Sequence, residues 1–195
     1  MSKNSELLKL KREYSECKRC PLLVKNRTNV VFGVGDADSC KVVIIGEAPG
    51  MKEDTFGVPF IGPSGKILNS FLEEINLSRE KDVYILNTIL CRPPKNRNPK
   101  SEELKNCKER LEKQLFILKP KVLITLGNFA TRYILNTKEG INKLRGKSYE
   151  VRIGGFVVKV VPIQHPAVLL YNGNSSKKRK EFSDDFEIVK KIIFS

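Results

Sequence analysis

The sequence of 195 residues contains no tryptophan and a single histidine, His165. One histidine excludes every metal site that needs two or more imidazole ligands. No apolar run approaches the roughly 18 residues that a membrane span needs, and the charged first residues lack the apolar core of a signal peptide. We therefore expect a cytoplasmic protein with no membrane partner, whose cysteines are reduced.

Acidic residues are scarce relative to basic ones. The 36 Lys and Arg outnumber the 22 Asp and Glu, which leaves a formal net charge of +14. A surplus of this size indicates a polyanionic partner, nucleic acid first and an anionic membrane surface second. The alternative is a lysine-rich surface that only maintains solubility.

Short apolar runs alternate with helical patterns along the chain. Four of them have the composition of strands in a buried parallel sheet: residues 41–46, 82–86, 122–126 and 156–161. The last run is the second arm of a hairpin predicted around Gly154 and Gly155, with residues 149–153 as its first arm. We predict a single domain over residues 1–195, a three-layer α/β/α sandwich around a mostly parallel, four-stranded sheet.

A glycine- and proline-rich loop over residues 46–62 follows the first strand and reads GEAPGMKEDTFGVPFIG. Ligands of open α/β sheets bind at the carboxyl ends of the strands, and this loop lies at such an end. An ordinary connector needs neither the carboxylates of Glu47 and Glu53 nor the ring of Phe60. We therefore predict a binding site here, followed by a helix whose N-cap is Ser64.

Two more polar residues are expected at the same edge of the sheet. Asn87 follows the second strand, and its amide offers a donor and an acceptor together, which suits the edge of a nucleobase. His165 follows the last strand, where an imidazole can donate a hydrogen bond to an anion forming on a leaving group. With Phe60 as a stacking surface, these residues predict a pocket for a flat ligand rich in hydrogen-bonding groups.

Four of the five cysteines indicate a metal site, because thiols in a reducing compartment bind metals more often than they form disulfides. The four are Cys17, Cys20, Cys91 and Cys107. The first two form a CxxC at the end of a helix predicted over residues 4–17. A set of four thiolate ligands suits either tetrahedral zinc or an iron–sulfur cluster, and buried small hydrophobes are the alternative. Cys40 has no neighbouring partner and is assigned to the core.

The motifs GEAPGxxED, GxPFxGPSG, LNTILCRPP and HPAVLL, together with the CxxC, resemble family 4 of the uracil-DNA glycosylases, the iron–sulfur members. The resemblance covers residues 17–171. It implies the glycosylase fold and a structural [4Fe-4S] cluster on the four cysteines, between the end of the N-terminal helix and residues 91–107. It also implies a monofunctional DNA-repair enzyme that hydrolyses the N-glycosidic bond of uracil in single- or double-stranded DNA, leaving an abasic site.

The resemblance also implies which residues bind the substrate: Gly46, Glu47, Ala48, Glu53, Phe60, Asn87 and His165. Phe60 is expected to stack on the flipped uracil, Asn87 to read its polar edge, and His165 to hydrogen-bond O2 as negative charge builds there. Glu53 is expected to crowd the place of the thymine methyl. Catalysis is assigned to His165, Asn87 and Glu47, and no carboxylate stands out as the base that activates water.

The residues expected to contact DNA are Ser64, Leu169, Leu170, Lys177, Lys178 and Arg179. Ser64 would cradle a phosphate at a helix N-terminus, one of the two leucines would fill the vacated base stack, and the basic residues would make binding steeply salt-dependent. The chain departs from the family at Tyr171, where many relatives have arginine, and at Gly173, where a proline is usual. A monomer is expected, with a sliding clamp as a candidate partner.

Other classes of protein are consistent with parts of the sequence. A non-catalytic binder of uracil-containing or damaged DNA, with a structural metal cluster, is the main alternative. A small iron–sulfur electron carrier would explain the cysteines but leaves Phe60, Asn87 and His165 without a role. A nucleotide-binding protein is disfavoured because the loop over residues 46–62 lacks both the P-loop lysine pattern and GxGxxG.

Overall fold

A five-stranded sheet forms the centre of the molecule. The computed structural model describes residues 1–153, 155–171 and 175–195, so Gly154 of the predicted hairpin turn and the departure at Gly173 lie outside the described residues. The strands are β1 (Val42–Gly46), β2 (Val83–Asn87), β3 (Val122–Leu126), β4 (Tyr149–Ile153) and β5 (Phe156–Ile163).

The strand order is β2-β1-β3-β5-β4. The first four in this order are parallel to one another, whereas β4 pairs antiparallel with β5 at the edge. The predicted mostly parallel sheet is confirmed, but the predicted number of four strands is wrong. The first hairpin arm also joins the sheet, because its backbone groups pair with the edge of β5. Its half-buried and exposed residues alternate, as expected of an edge strand.

Helices cover both faces of the sheet, which confirms the three-layer sandwich. They are α1 (Lys3–Tyr14), α2 (Pro21–Asn26), α3 (Met51–Phe56), α4 (Pro63–Glu74), α5 (Ser101–Leu118), α6 (Gly127–Leu135), α7 (Ile141–Leu144), α8 (Ala167–Tyr171) and α9 (Ser176–Phe194), with a 3₁₀ helix at Pro94–Asn96. One core lies among α1, α5, α6 and the sheet, and the other among α4, α9 and the opposite face. Within the described ranges, no helix has the length and apolar character needed to cross a membrane.

Two local predictions need correction. Helix α1 ends at Tyr14, so Cys17 lies beyond it. Helix α4 begins at Pro63 with Gly62 as N-cap, because proline is well suited to the first helical position, and Ser64 is therefore not the cap. The basic residues Lys177, Lys178 and Arg179 lie at the start of α9, where the Ser175 hydroxyl accepts the Lys178 N–H.

Candidate active site

The ends of the parallel strands bring the predicted polar residues to one edge. Gly46 and Asn87 are direct partners in the β1–β2 register. The chain continues this pairing by one step, since the Thr88 N–H donates to the Gly46 carbonyl over 2.9 Å. His165 follows the end of β5, which lies beside β3 in the same parallel set. The carboxyl edge predicted from the strand pattern is therefore the edge that the structure forms.

Two glycines let Phe60 enter this edge. A Cβ atom on Gly46 would lie 2.4 Å from Asn87 Oδ1 and 2.6 Å from Phe60 Cε2. A Cβ atom on Gly65 would lie only 1.8 Å from the Phe60 carbonyl oxygen. Phe60 itself has a positive φ of 53°, which is unfavourable for a residue with a side chain. The glycines thus give space to a strained, buried aromatic side chain. We call Gly46, Phe60, Asn87 and His165 the base pocket.

His165 faces Phe60, with 5.8 Å between the ring centroids and 34° between the ring planes. The imidazole Nδ1 accepts the backbone N–H of Ala167 over 3.2 Å, so the proton of the neutral ring is on Nε2. Burial lowers the pKa of His165 below its ordinary value, although the charge of Glu53 acts in the opposite direction. His165 is therefore a neutral imidazole whose Nε2–H is the available donor.

Asn87 is buried, and its Oδ1 atom has no hydrogen-bond partner among residues 1–153, 155–171 and 175–195. Leaving a buried acceptor unsatisfied costs about 1–3 kcal/mol, and such groups are rare in folded proteins. The atom lies against Gly46 and beside Phe60. A ligand that donates an N–H to this oxygen would remove the cost.

The acidic residues of the 46–62 loop differ in their roles. Burial raises the pKa of the half-buried Glu47, whose carbonyl accepts the Thr88 hydroxyl. The Glu53 carboxylate accepts the Gly62 N–H over 3.2 Å and so ties helix α3, in the middle of the loop, to the end of the loop. The Asp54 carboxylate accepts the Thr28 N–H over 2.9 Å, which anchors helix α3 to the preceding segment. This part of the loop is helical, which the sequence analysis did not predict.

The residues expected to contact DNA differ in how far their side chains are exposed. Leu169 is 2 % exposed and belongs to the core beneath α4, and its assignment as a DNA contact stays a prediction. Leu170 and Tyr171 are 45 % and 85 % exposed. Lys177 is exposed and Ser64 is half-buried in the first turn of α4.

Two of the predicted DNA-binding cations are engaged within the protein. Lys178 pairs with Glu181 over 2.8 Å. Arg179 pairs with Glu74 and lies 4.9 Å from the centre of the Phe71 ring. The Lys178 pair lies within α9, whereas the Arg179 contacts attach the start of α9 to α4. Both side chains therefore have an intramolecular role that the charge pattern did not reveal.

The four predicted metal-binding cysteines line one narrow pocket, which we call the cysteine corner: Cys17, Cys20, Cys91 and Cys107. All four are free thiols. The Cys91 sulfur accepts Arg27 Nη1 over 3.0 Å, and the Cys20 sulfur accepts Asn106 Nδ2 over 3.4 Å. Within the described ranges, no group of three or more His, Cys, Asp or Glu side chains could hold a metal ion as placed.

Cys40 lies apart from the cysteine corner, as predicted. It is buried, and its thiol donates to the Ala37 carbonyl over 3.6 Å. Burial raises the pKa of Cys40 to about 11, so it stays a protonated, apolar core residue. Burial raises the pKa of Cys91 to about 11 as well, although the Arg27 guanidinium acts in the opposite direction.

Sequence reasoning missed Arg110, which connects the two regions. Its side chain is fully buried on α5, one turn after Cys107. Nη1 donates to the Asn87 carbonyl over 3.1 Å, and Nη2 donates to the Thr88 carbonyl over 2.8 Å. The available signal was a charged residue on the apolar stripe of a helix, between Cys107 and Leu111.

Comparison with known proteins places this geometry in a family context. The family model described as the uracil DNA glycosylase superfamily matches residues 32–187. A type-4 uracil-DNA glycosylase of Archaeoglobus fulgidus is 43 % identical over 182 residues, which are 91 % of this chain and 88 % of the relative. A type-4 uracil-DNA glycosylase of Thermotoga maritima is 40 % identical over 195 residues, 99 % of this chain and 98 % of the relative. The resemblance found in the motifs is confirmed.

Proposed function

The chain belongs to the uracil-DNA glycosylase superfamily, and from that premise we propose that it excises uracil from DNA by hydrolysing the N-glycosidic bond. The products are free uracil and an abasic site. The observation that carries the proposal is the buried Asn87 Oδ1, an acceptor without a partner in the described part of the chain, beside Phe60 and His165.

The base pocket supports recognition of an extruded base. A base inside a duplex is unreachable, so the nucleotide must flip out at a cost of a few kcal/mol. The Phe60 ring offers a stacking surface, Asn87 Oδ1 accepts uracil N3–H, and Asn87 Nδ2 donates to O4. Cytosine presents the opposite pattern, an acceptor at N3 and a donor at N4, so a fixed Asn87 amide rejects it.

Thymine differs from uracil by one methyl group, which a rigid wall can exclude. We assign that wall to Glu53, whose carboxylate is held by the Gly62 N–H. The backbone of Gly46, Glu47 and Ala48 lines the rest of the pocket. Because this hydrogen bond holds the Glu53 side chain against the end of the loop, the carboxylate cannot move away without breaking the bond.

The chemical step separates charge between sugar and base. As the C1′–N1 bond breaks, its electron pair moves onto the base, and the sugar gains oxocarbenium character before water adds to C1′. His165 Nε2–H donates to uracil O2 as negative charge develops there, in the manner of an oxyanion donor. We assign to the Glu47 carboxylate the electrostatic stabilisation of the cationic sugar.

The cysteine corner fits an iron–sulfur cluster by its donor set. Four thiols line one pocket, and Arg27 and Asn106 donate hydrogen bonds to two of the sulfurs, as surrounding groups do at such centres. We propose that the four cysteines hold a structural [4Fe-4S] cluster. When bound, the cluster supplies cross-links between the N-terminal segment, the loop after β2 and helix α5, within a single domain over residues 1–195.

The DNA surface is assigned to residues that are exposed or half-buried. We propose Leu170 as the residue that fills the vacated stack, and Ser64 and Lys177 as phosphate contacts. With a net charge of +14, DNA affinity should fall steeply with salt concentration. A monomeric state, a cytoplasmic location and recruitment by a sliding clamp stay predictions.

Release of free uracil from an oligonucleotide with a single uracil tests the proposal. The protein should be purified without oxygen, and oligonucleotides with thymine or cytosine at the same position serve as controls. We expect release of uracil alone, from a strand that stays intact apart from the abasic site. Tight binding without release would favour the non-catalytic binder of damaged DNA.

A further inference from the structure

Arg110 is a buried positive charge without a negative counter-charge among the described residues. Its guanidinium is fully buried, and its hydrogen bonds go to neutral acceptors: the carbonyls of Asn87 and Thr88 and the side chain of Gln114. Within the described part of the chain it pairs with no carboxylate, and its Nε atom has no hydrogen-bond partner. A buried charge without a counter-charge is costly, and natural proteins rarely retain one.

The cysteine corner lies next to this charge. Cys107 precedes Arg110 by one helical turn on the same buried stripe of α5. Burial lowers the pKa of the Arg110 guanidinium, and the neighbouring Cys107 sulfur acts in the opposite direction. Four thiolates around a [4Fe-4S] core give the complete site a net negative charge, because they outweigh the charge of the oxidised core. A cysteine corner that holds the cluster therefore supplies the negative charge that Arg110 lacks.

The same guanidinium contacts the backbone at the base pocket. It donates to the consecutive carbonyls of Asn87 and Thr88. Thr88 in turn donates from its N–H to the Gly46 carbonyl and from its hydroxyl to the Glu47 carbonyl. Gln114 extends the network, since it accepts from Arg110 over 2.7 Å and donates to the Phe32 carbonyl over 2.9 Å. These bonds fix the backbone from which the Asn87 side chain projects.

We propose that Arg110 is a positioning residue that couples cluster occupancy to the geometry of the base pocket. The inference rests on the proposed function. The negative charge of the loaded site compensates the positive charge of the guanidinium. The guanidinium can then hold the two carbonyls without being an uncompensated buried charge. Loading of the cysteine corner and binding of uracil should then favour each other, because a coupling between two sites is reciprocal.

Two substitutions separate the charge of Arg110 from its shape. Arg110→Met removes both the charge and the hydrogen bonds. Arg110→Lys keeps the charge but loses the planar fork that reaches two carbonyls at once. Lys108→Met is the matched control, because it removes a positive charge from the same turn of α5 where the side chain is 63 % exposed.

The first readout is the release of iron to a chelator, with and without DNA containing 2′-fluoro-deoxyuridine, which binds but resists cleavage. We expect this DNA to slow iron release from the wild type and from Lys108→Met by at least threefold. Arg110→Met should release iron at least tenfold faster than wild type, whereas Arg110→Lys should stay within threefold. Neither Arg110 variant should respond to the DNA.

The second readout is the reduction potential of the cluster, together with single-turnover kinetics. Loss of a buried positive charge should make the potential of Arg110→Met more negative, while Lys108→Met should hardly change it. Both Arg110 variants should excise uracil about tenfold more slowly at saturating enzyme. A fall in thermal stability alone, with iron release, potential and DNA response like those of Lys108→Met, would overturn the inference.

The outcome also separates this inference from the proposed function. Should Arg110→Met fail to fold, Arg110→Lys still decides, because normal iron retention without a DNA response supports the coupling and a retained response overturns it. Failure of the wild type to release uracil would instead contradict the proposed function. Normal wild-type activity with unaltered Arg110 variants would contradict the coupling alone.

Discussion

The base pocket and the cysteine corner are neighbours that are built in opposite ways. Residues of the base pocket follow strand ends, so the register of a parallel sheet sets where they lie, as with Gly46 and Asn87. Members of the cysteine corner come from irregular segments and the side of a helix: Cys17 follows α1, Cys20 precedes α2, and Cys91 follows β2. The backbone holds the first region together, whereas the second depends on what its thiols bind.

The two regions also differ in the kind of group that would satisfy them. In the base pocket, the buried acceptor Asn87 Oδ1 has no donor within the part of the chain that the structure describes. Beside the cysteine corner, the buried cation Arg110 needs negative charge. A substitution in the base pocket should therefore lower the excision rate without changing the thermal stability. A substitution in the cysteine corner should lower the thermal stability first.

The largest expected effect comes from breaking the cysteine corner. Cys107→Ser should lose iron and leave Arg110 as an uncompensated buried charge, which lowers the free energy of unfolding by about 3–5 kcal/mol. That corresponds to a fall in Tm of roughly 6–20 °C for a domain of this size. Thermal unfolding and iron analysis under anaerobic conditions measure both effects.

Cys40→Ser is the matched control, since Cys40 is as buried as Cys107 but lies outside the corner. It should keep its iron and lose no more than about 1 kcal/mol, typical of a small change at a core position. Equal Tm values for the two serine variants, with iron retained in both, would remove the contrast between the regions.

The next effect comes from the base pocket. His165→Ala removes the Nε2–H donor to the developing anion and should slow single-turnover excision by about 100- to 1000-fold, or roughly 2.7–4 kcal/mol of transition-state stabilisation. Its Tm should stay close to that of the wild type, because the imidazole makes one hydrogen bond, to Ala167, within the described residues. A loss of less than threefold would show that His165 is not the donor.

Asn87→Ala should have a smaller effect of a different kind. Without the amide, uracil N3–H and O4 lose their partners inside a buried pocket, which costs about 1–3 kcal/mol, or roughly 5- to 150-fold in rate. The ratio of uracil to cytosine excision should fall as well, because Asn87 distinguishes their hydrogen-bonding edges. Both rates are measured on matched oligonucleotides, and an equal loss on the two bases would contradict this role.

The smallest effect concerns pH. The pKa of His165 lies below its ordinary 6.5 and that of Glu47 above its ordinary 4.5, both because of burial. The lowered pKa of His165 keeps its imidazole neutral at pH 7. Protonation of His165 should not slow single-turnover excision above about pH 6.5 and should slow it only below that pH, because the folded imidazole is protonated later than a free one as the pH falls.

The sign of the accompanying stability change follows from the same shift. The unfolded chain protonates His165 near pH 6.5 while the folded chain still holds it neutral, so the neutral form stabilises the fold above that pH and the benefit declines as pH falls. His165→Gln should flatten this part of the stability profile. A rate that falls above pH 6.5 in the wild type would contradict the assigned protonation states.

Sequence patterns were sufficient for the strands and for the edge they share. Apolar runs rich in β-branched residues predicted β1, β2 and β3 to within a residue or so, because a strand buried on both faces admits little else. The same patterns predicted that Asn87 and His165 lie at the carboxyl edge with Phe60. They failed for the N-cap of α4, where Pro63 decides the start of the helix.

By itself, the sequence determined the order of strands and helices, the family, the four cysteines and the polar residues at the strand ends. These follow from composition, period and motif, which are local properties of the chain. Only the tertiary structure decided that Asn87 Oδ1 has no partner among the described residues, that His165 carries its proton on Nε2, and that Arg110 lies between Asn87 and Cys107. Each of these depends on burial and on contacts between distant segments, because solvent exclusion and hydrogen-bond partners are properties of the packed molecule.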